Sequence, residues 1–398
     1  MTRFVEGHEV QLLEGGGAYF AALEDAFDQA RSEIHVQAYI FEDDQAGRSV
    51  AEALKRAARR GVQVHVLIDG FGGRTMPRSM REALRTAGVE LLFFRPQVSL
   101  FEFQRSRLRR LHHKIAVVDG VDGFVGGINL IDDMHTPRQK PPRWDYAVRV
   151  RGPITADILS LARRTWEGVA RTYLHERWTD RWPDHATAEQ IPAAVRPMPP
   201  VAGPISAALV IRDTLRHRRD IEDAYLEAIA LARNEVLIAN AYFLPGIEFR
   251  HALIAAAGRG VRVVLLLQAR VEYVLFRHAS RTMYHQLLAA GVEIFEYHRS
   301  FMHAKVAVID GEWSTVGSSN IDPMSLLLAR EANVVVRDRA FAARLRTSLE
   351  DAMQGGARPV TAAGHQRGLL ARAAGWMSYG LVRALLGWAG YGARSDYL

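Results

Sequence analysis

The sequence contains no cysteine among its 398 residues. This absence excludes disulfide bonds, thiolate metal ligands and a cysteine nucleophile, and it fits a reducing compartment. The N-terminal segment MTRFVEGHEVQLLEGGG also lacks an apolar stretch of signal-peptide length. We therefore expect a protein that is not exported by that route and stays inside the cell.

Lysine is scarce, since only four of the 51 lysine and arginine residues are lysines. In a chain that otherwise uses arginine, a retained lysine can mark a place that needs a compact ammonium group, and Lys114 and Lys305 are two of the four. The formal net charge is +7. This charge favours anionic partners, but it does not distinguish a phospholipid surface from nucleic acid.

The chain is built from one unit used twice. Three segments recur in the same order: AARRGVQVHVL (57–67) as AAGRGVRVVLL (256–266), AGVELLFF from Ala87 as AGVEIFEY from Ala290, and HHKIAVVDGVDGFVGGIN from His112 as HAKVAVIDGEWSTVGSSN from His303. Such a long-period match indicates an internal duplication. The length also suffices for two medium domains, each with its own core.

The boundary between the copies is predicted from proline content. Residues 183–204 hold six of the 15 prolines, a composition typical of a surface linker. We therefore expect one half at residues 1–182, a linker at 183–204, a second half at 205–358 and a C-terminal tail at 359–398.

Each copy alternates strand-like and helix-like segments. IHVQAYIF (34–41) and VLIANAYF (236–243) have the pattern of strands, and apolar helical stretches ending at a glycine follow each of them. This alternation predicts an α/β fold of two pseudo-symmetric halves, each a mainly parallel sheet flanked by helices.

Both copies carry the pattern H-x-K-x4-D followed by x6-G-[GS]-x-N. Its residues are His112, Lys114, Asp119, Gly126, Gly127 and Asn129 in the first copy and His303, Lys305, Asp310, Gly317, Ser318 and Asn320 in the second. In a strand, a spacing of two places the histidine and the lysine on one face, and the aspartate has the opposite parity. We therefore interpret Asp119 and Asp310 as structural acceptors within the catalytic motif.

Two such sets match the needs of a phosphodiester transition state. One imidazole can attack phosphorus to form a phosphohistidine, and the other can protonate the departing alcohol and then deprotonate the incoming one. The lysines and asparagines can stabilise the charge on the phosphoryl oxygens. No cluster of carboxylates and histidines has metal-ligand spacing, so we expect neither a metal nor another cofactor.

The paired motifs resemble those of the phospholipase D superfamily. HHKIAVVD, ANAYFLPG, EYHRSFMHAK, VGSSNIDPMSL and EANVVV extend the resemblance to the bacterial cardiolipin synthases, above all those of the B type, over roughly residues 8–350. The resemblance implies that two halves form one active site. It also implies a phosphatidyltransferase that moves a phosphatidyl group from one phospholipid to the headgroup hydroxyl of phosphatidylglycerol.

The resemblance also implies roles for single residues. His112 matches the nucleophile and His303 the acid and base, although the order of the two stays open. The residues that would bind the phosphoryl oxygens are Lys114, Lys305, Asn129, Asn320 and Ser318, with Gly127 at the position equivalent to Ser318. Asp145 in WDYAVRV and Glu331 in EANVVV match the acidic residues that orient the histidines.

Two segments outside the motifs suggest contact with a membrane. The loop 100–110 sets large apolar residues beside arginines, which suits an anionic membrane interface, single-stranded nucleic acid or an ordinary solvated loop. The tail 368–391 has an amphipathic pattern interrupted by Arg372 and Arg383, typical of an interfacial helix or of a helix docked on the protein itself.

The partners expected from these observations are phospholipids, namely phosphatidylglycerol and possible donors such as phosphatidylethanolamine, on an anionic membrane surface. We expect a monomer, bound peripherally to the cytoplasmic side of a bacterial inner membrane, without nucleic acid. A phospholipase D hydrolase and a nuclease are the alternative enzymes, because the same chemistry cleaves other phosphodiesters. A non-catalytic lipid-binding scaffold is a third alternative.

Overall fold

The repeated pattern of strands and helices is present in the computed structural model, which describes residues 2–96, 109–137, 139–177, 203–213, 216–270, 274–322 and 329–361. The first part contains β1 (Val5–Glu14), α1 (Gly15–Gln29), β2 (Glu33–Ala38), α2 (Gln45–Arg59), β3 (Gln63–Asp69), α3 (Arg78–Thr86), β4 (Glu90–Phe94), β5 (Arg110–Leu111), β6 (Lys114–Val118), β7 (Asp122–Gly126), β8 (Arg143–Trp144), β9 (Tyr146–Arg151) and α4 (Ile154–Arg177). The second part contains β10 (Ile205–Arg212), α5 (Asp220–Leu231), β11 (Glu235–Asn240), α6 (Ile247–Gly258), β12 (Arg262–Gln268), α7 (Val274–Ala289), β13 (Glu293–Tyr297), β14 (Phe301–Met302), β15 (Lys305–Ile309), β16 (Trp313–Gly317), β17 (Ala329–Arg337), α8 (Arg339–Gly356) and β18 (Ala357–Pro359).

The long strands form one sheet whose order repeats on either side of a central pair. The order is β18-β13-β12-β11-β15-β16-β17-β10-β1-β9-β7-β6-β2-β3-β4. β1 pairs with β10 in the middle, so the strands of the first copy lie on one side and those of the second copy on the other. The predicted α/β class is confirmed.

The expectation of mainly parallel halves is wrong. β2, β3 and β4 are parallel, as are β11, β12 and β13. Apart from the short parallel pairing of β5 with β17, the remaining ladders of the long sheet are antiparallel. One reason is the turn that joins β6 to β7 and β15 to β16, where Asp119 and Asp310 have φ of 52° and 51° and are followed by glycines of positive φ. This Asp-Gly turn makes a tight hairpin, which only antiparallel strands can share.

The two copies share one apolar core behind the motif strands. Buried side chains of the first copy, such as Val117 and Val148, belong to the same cluster as Val308 and Val334 of the second. Two further clusters lie between the sheet and the helices of each copy separately. Because burial of this shared surface is the main favourable term, it holds the two motifs at a fixed distance.

Several predictions concern residues outside those that the structure describes. They include most of the proposed linker at 183–204, the loop at 100–108 and the tail from residue 362. The domain boundaries therefore stay predictions. Among the described residues, no helix is both long enough and apolar enough to cross a membrane.

Candidate active site

Each motif histidine is held by the backbone of the other copy. β5 pairs with the start of β17, and the backbone N–H of His112 then donates to the carbonyl of Arg330 at 3.0 Å. In the same way β14 pairs with β8, and the N–H of His303 donates to the carbonyl of Trp144 at 2.7 Å. The two histidines therefore enter the site from opposite copies in equivalent surroundings.

The carboxylates that orient the histidines are exchanged between the copies. Nδ1 of His112 lies 2.8 Å from Oε1 of Glu331, and Nδ1 of His303 lies 2.6 Å from Oδ2 of Asp145. Both carboxylates are 0% exposed. Because an ionised carboxylate can only accept, each Nδ1 donates its proton and each Nε2 keeps a lone pair. The prediction that Asp145 and Glu331 contact the histidines agrees with this geometry, and each pair joins the two copies.

The imidazole rings are the parts of the two pairs that reach solvent. The side chain of His112 is 19% exposed and that of His303 is 13% exposed, against carboxylates without exposure. This arrangement leaves Nε2 as the ring nitrogen available to a substrate, since Nδ1 is engaged.

The two motif lysines are buried beside the histidines. Nζ of Lys114 donates to the carbonyl oxygen of His112 at 2.6 Å, and Nζ of Lys305 donates to that of His303. Nζ of Lys305 is also 3.8 Å from Oδ2 of Asp145. Burial lowers the pKa of Lys114 to about 7 and that of Lys305 to about 8, although the nearby carboxylates oppose the shift.

The pKa values of the two carboxylates are shifted in opposite directions. Burial raises the pKa of Asp145 to about 6 despite the opposing charges of Lys305 and Lys114. Burial also acts to raise the pKa of Glu331, but interaction with His112, Lys114 and Ser318 outweighs it and leaves the pKa lowered. Glu331 is therefore the more firmly ionised carboxylate at neutral pH.

The surroundings of both histidines favour the neutral imidazole. Burial lowers the pKa of His112, and Glu331 only partly offsets it. The pKa of His303 is lowered further, by burial first and then by the positive charges of Lys305, Lys114 and Arg143. A neutral imidazole with a free Nε2 is the form required of a nucleophile or a general base.

The position after the motif glycine differs between the copies. Oγ of Ser318 donates to Oε2 of Glu331 at 2.5 Å and accepts from the N–H of Ala332 at 3.1 Å. At Gly127, a Cβ atom would collide with the carboxylate of Asp145. Ser318 therefore fixes Glu331, whereas Gly127 makes room for Asp145. The predicted contact of Ser318 with phosphoryl oxygens stays a prediction.

The two asparagines follow the motif glycines and are buried, each with 5% exposure. Oδ1 of Asn129 accepts from the N–H of Ile40 at 3.1 Å. This hydrogen bond fixes the orientation of the amide group. Its oxygen faces Ile40, and its nitrogen is the donor that could contact a ligand. Binding of a substrate by Asn129 and Asn320 stays a prediction.

Asp119 and Asp310 lie away from the histidines, at the far ends of the motif strands. The carboxylate of Asp119 accepts from three consecutive backbone N–H groups, at residues 31–33, and that of Asp310 accepts from those at residues 233–235. These bonds tie each hairpin turn to the start of β2 or β11. The structural interpretation of both aspartates agrees with this geometry.

Sequence reasoning missed a second pair of supporting residues, Asp69 and Gln268. Oδ2 of Asp69 accepts from the N–H of Leu111 at 2.9 Å, and Oε1 of Gln268 accepts from the N–H of Met302 at 2.9 Å. Each acceptor thereby fixes the residue before a motif histidine. Their positions at equivalent ends of VQVHVLID and VRVVLLLQ could have revealed them.

Comparison with known proteins supports the resemblance that the paired motifs indicate. The model of the family described as "Cardiolipin synthase, PLD-like domain" matches residues 23–139 and 225–353, which contain both motifs. The chain belongs to the cardiolipin synthase family of phospholipase D-like proteins. It is 40% identical over 344 residues to cardiolipin synthase B of Escherichia coli K12, covering 86% of this chain and 80% of that protein.

More distant relatives agree. The minor cardiolipin synthase ClsB of Bacillus subtilis 168 is 29% identical, over 87% of this chain and 81% of that protein. The crystal structure of phosphatidylserine synthase from Haemophilus influenzae Rd KW20 matches with a TM-score of 0.65 at 11% identity, covering 94% of this chain and 93% of that one. The resemblance to this family and the prediction of a phosphatidyltransferase are confirmed, and the last match shows the shared fold.

Proposed function

We propose that this cardiolipin synthase family member transfers a phosphatidyl group to phosphatidylglycerol through a phosphatidyl-histidine intermediate. The observation that carries the proposal is the pair of exchanged imidazole–carboxylate contacts, His112 with Glu331 and His303 with Asp145. They supply a nucleophile and an acid–base group for one phosphorus atom.

In the first step, Nε2 of His112 attacks the phosphorus atom of the donor phospholipid. The N–P bond forms while the bond from phosphorus to the headgroup oxygen breaks, and His303 gives the departing oxygen its proton. His303 can hold that proton once the anionic diester is bound, because a nearby negative charge raises the pKa of an imidazole. Glu331 stabilises the positive charge that develops on His112.

In the second step, His303 removes the proton from a headgroup hydroxyl of phosphatidylglycerol. That oxygen attacks phosphorus, the N–P bond breaks, and His112 returns to its neutral form with Nδ1–H still donated to Glu331. Lys114 and Lys305 stabilise the negative charge of the phosphoryl oxygens in both steps. Phospholipids are therefore the proposed substrates, and water is the competing acceptor.

The lysines predict how substrate binding depends on pH. The pKa values are about 7 for Lys114 and about 8 for Lys305, so these side chains lose positive charge as pH rises above 7. A bound anionic diester favours the protonated ammonium, so binding takes up protons in this range. We expect the KM for a phosphatidylglycerol donor to rise between pH 7 and 9, by up to about tenfold per pH unit for each lysine.

The measurement is KM and kcat from about pH 5 to 9, with Lys140→Gln as the control lysine variant. The control should keep the wild-type profile, because Lys140 is not part of the motif. Below pH 6 a separate loss is expected, since protonation of Asp145 removes the acceptor of His303. A KM that does not change between pH 7 and 9 contradicts the role of the lysines.

The proposed reaction is tested by incubating the purified protein with phosphatidylglycerol micelles in EDTA, with and without phosphatidylethanolamine, followed by lipid mass spectrometry. Cardiolipin with released glycerol is the expected result, because no proposed step uses a metal. Phosphatidic acid as the sole lipid product makes the protein a hydrolase instead. Unchanged lipids together with salt-sensitive cleavage of an oligonucleotide favour the nuclease.

Binding to the cytoplasmic face of a bacterial inner membrane, as a monomer, remains part of the proposal. It is supported by the apolar and basic composition of the loop 100–110 and of the tail 368–391. Sedimentation with vesicles that contain phosphatidylglycerol tests the membrane contact directly.

A further inference from the structure

Four arginines lie near His112, three from the first copy and one from the second. This arginine cluster consists of Arg95 after β4, Arg109 and Arg110 before the motif, and Arg330 at the start of β17. The guanidinium carbons of Arg95 and Arg330 lie 5.2 Å and 5.7 Å from the ring centroid of Phe94. The two cations therefore share the same aromatic side chain.

The cluster holds more positive charge than its surroundings neutralise. Burial lowers the pKa of Arg95 to about 10, and the charges of Arg109, Arg330 and Arg110 act in the same direction. Within the described ranges, Nη1 of Arg95 and Nη1 of Arg110 are buried without a hydrogen-bond partner. A buried donor without a partner is unfavourable, so a ligand that accepts from it is strongly favoured.

Asp69 neutralises this charge only partly. It is 3.9 Å from Nη1 of Arg110, and its two oxygens already accept from the backbone N–H groups of Phe71, Gly72 and Leu111. Burial lowers the pKa of Arg330, and the charge of Asp213 acts in the opposite direction. Among the residues that the structure describes, four guanidinium groups thus face two carboxylates, and both carboxylates also accept from backbone N–H groups.

The duplicated fold does not require arginine at these positions. Equivalent strand pairings place Phe301 of the second copy where the first has Arg110, and Trp144 where the first uses Arg330. His298 follows β13 as Arg95 follows β4, since Phe94 and Tyr297 have equivalent pairings. Aromatic residues and a histidine thus stand where the first corner has Arg110, Arg330 and Arg95. The arginine at the equivalent corner, Arg143, has Ala329 as its counterpart.

The arginine cluster lies next to the reacting groups. The carbonyl oxygen of Arg330 accepts from the N–H of His112 at 3.0 Å, and Arg110 precedes His112 by two residues. The charge of Asp69 also acts on Lys114. An anion bound by the cluster would therefore lie beside the phosphorus atom on His112, as a second and separate negative group.

We propose that the arginine cluster binds the phosphodiester of the acceptor phospholipid, and so selects an anionic lipid rather than a small alcohol as acceptor. This inference rests on the proposed transfer reaction. In that reaction the donor phosphate occupies the histidines and lysines, while the acceptor brings a hydroxyl and a phosphate of its own. Guanidinium groups bind phosphate oxygens through paired, charge-assisted hydrogen bonds.

The test compares two acceptors with one donor, short-chain phosphatidylethanolamine. Arg95→Gln and Arg330→Gln should each raise the KM for short-chain phosphatidylglycerol by about ten- to a hundredfold, while transfer to ethanol stays within about twofold of wild type. Arg337→Gln is the matched control. Arg337 is on the same strand as Arg330 and also contacts an aromatic ring, since its guanidinium carbon lies 3.9 Å from the ring centroid of Phe4. Thermal unfolding checks that the variants are folded.

Monomeric lipids, kept below their micelle concentration, separate the acceptor from a membrane surface. A defect that appears with vesicles but not with monomeric phosphatidylglycerol means that the arginine cluster binds a lipid surface, which overturns the acceptor assignment. Equal losses with both acceptors, or no loss with either, also overturn it. Wild-type protein that transfers to neither acceptor, and that also makes no cardiolipin from phosphatidylglycerol alone, contradicts the proposed function itself.

Discussion

Replacement of either motif histidine by alanine is expected to lower phosphatidyl transfer by at least about ten-thousand-fold. His112→Ala removes the proposed nucleophile, and His303→Ala removes the group that moves the proton in both steps. Both rings are partly exposed at the surface of a shared core, so neither change opens a large internal cavity. Lipid mass spectrometry measures the loss, and thermal unfolding verifies folding.

A donor with an activated leaving group distinguishes the two roles. A phosphatidyl ester of p-nitrophenol needs little protonation of its leaving oxygen, so His303 is dispensable for the first step. His303→Ala should therefore release about one equivalent of nitrophenol in a burst and accumulate phosphatidyl-enzyme, whereas His112→Ala should release none. A burst from His112→Ala with none from His303→Ala would reverse the two assignments. Full turnover by either variant rules out the covalent scheme.

The local elements of the fold could be predicted because their signals are local. The apolar runs VQVHVLID and VRVVLLLQ form β3 and β12, and the helices before them end near the glycines as expected. The duplication itself identified the two motifs and the equivalence of the copies. It was harder to predict which neighbouring strands are antiparallel. For the motif strands this depends on the hairpin turns at Asp119 and Asp310, whose left-handed conformation a strand pattern does not reveal.

The exchange of carboxylates could not be predicted from the sequence. It depends on two very short ladders, β5 with β17 and β8 with β14, which join residues more than a hundred positions apart. Two-residue strands carry almost no periodic signal, and only the packing of one copy against the other brings them together. The motif therefore predicted the candidate reacting side chains, but not which carboxylate contacts which histidine.

This exchange leads to the second large effect. Asp145→Asn and Glu331→Gln are each expected to lower phosphatidyl transfer by about a thousandfold or more, because a neutral amide no longer stabilises a charged imidazole or fixes its tautomer. The two amides are close in size to the carboxylates that they replace, so each variant serves as the packing control for the other. The measurement is again the release of nitrophenol followed by transfer to phosphatidylglycerol.

The two variants should fail at different steps. Glu331 contacts His112, so Glu331→Gln should slow the burst itself, although Glu331 belongs to the second copy. Asp145 contacts His303, so Asp145→Asn should keep the burst and block transfer to the acceptor, although Asp145 belongs to the first copy. If each carboxylate instead served the histidine of its own copy, the two phenotypes would be interchanged. Identical phenotypes would mean that the carboxylates maintain the buried charge of the site rather than orient separate histidines.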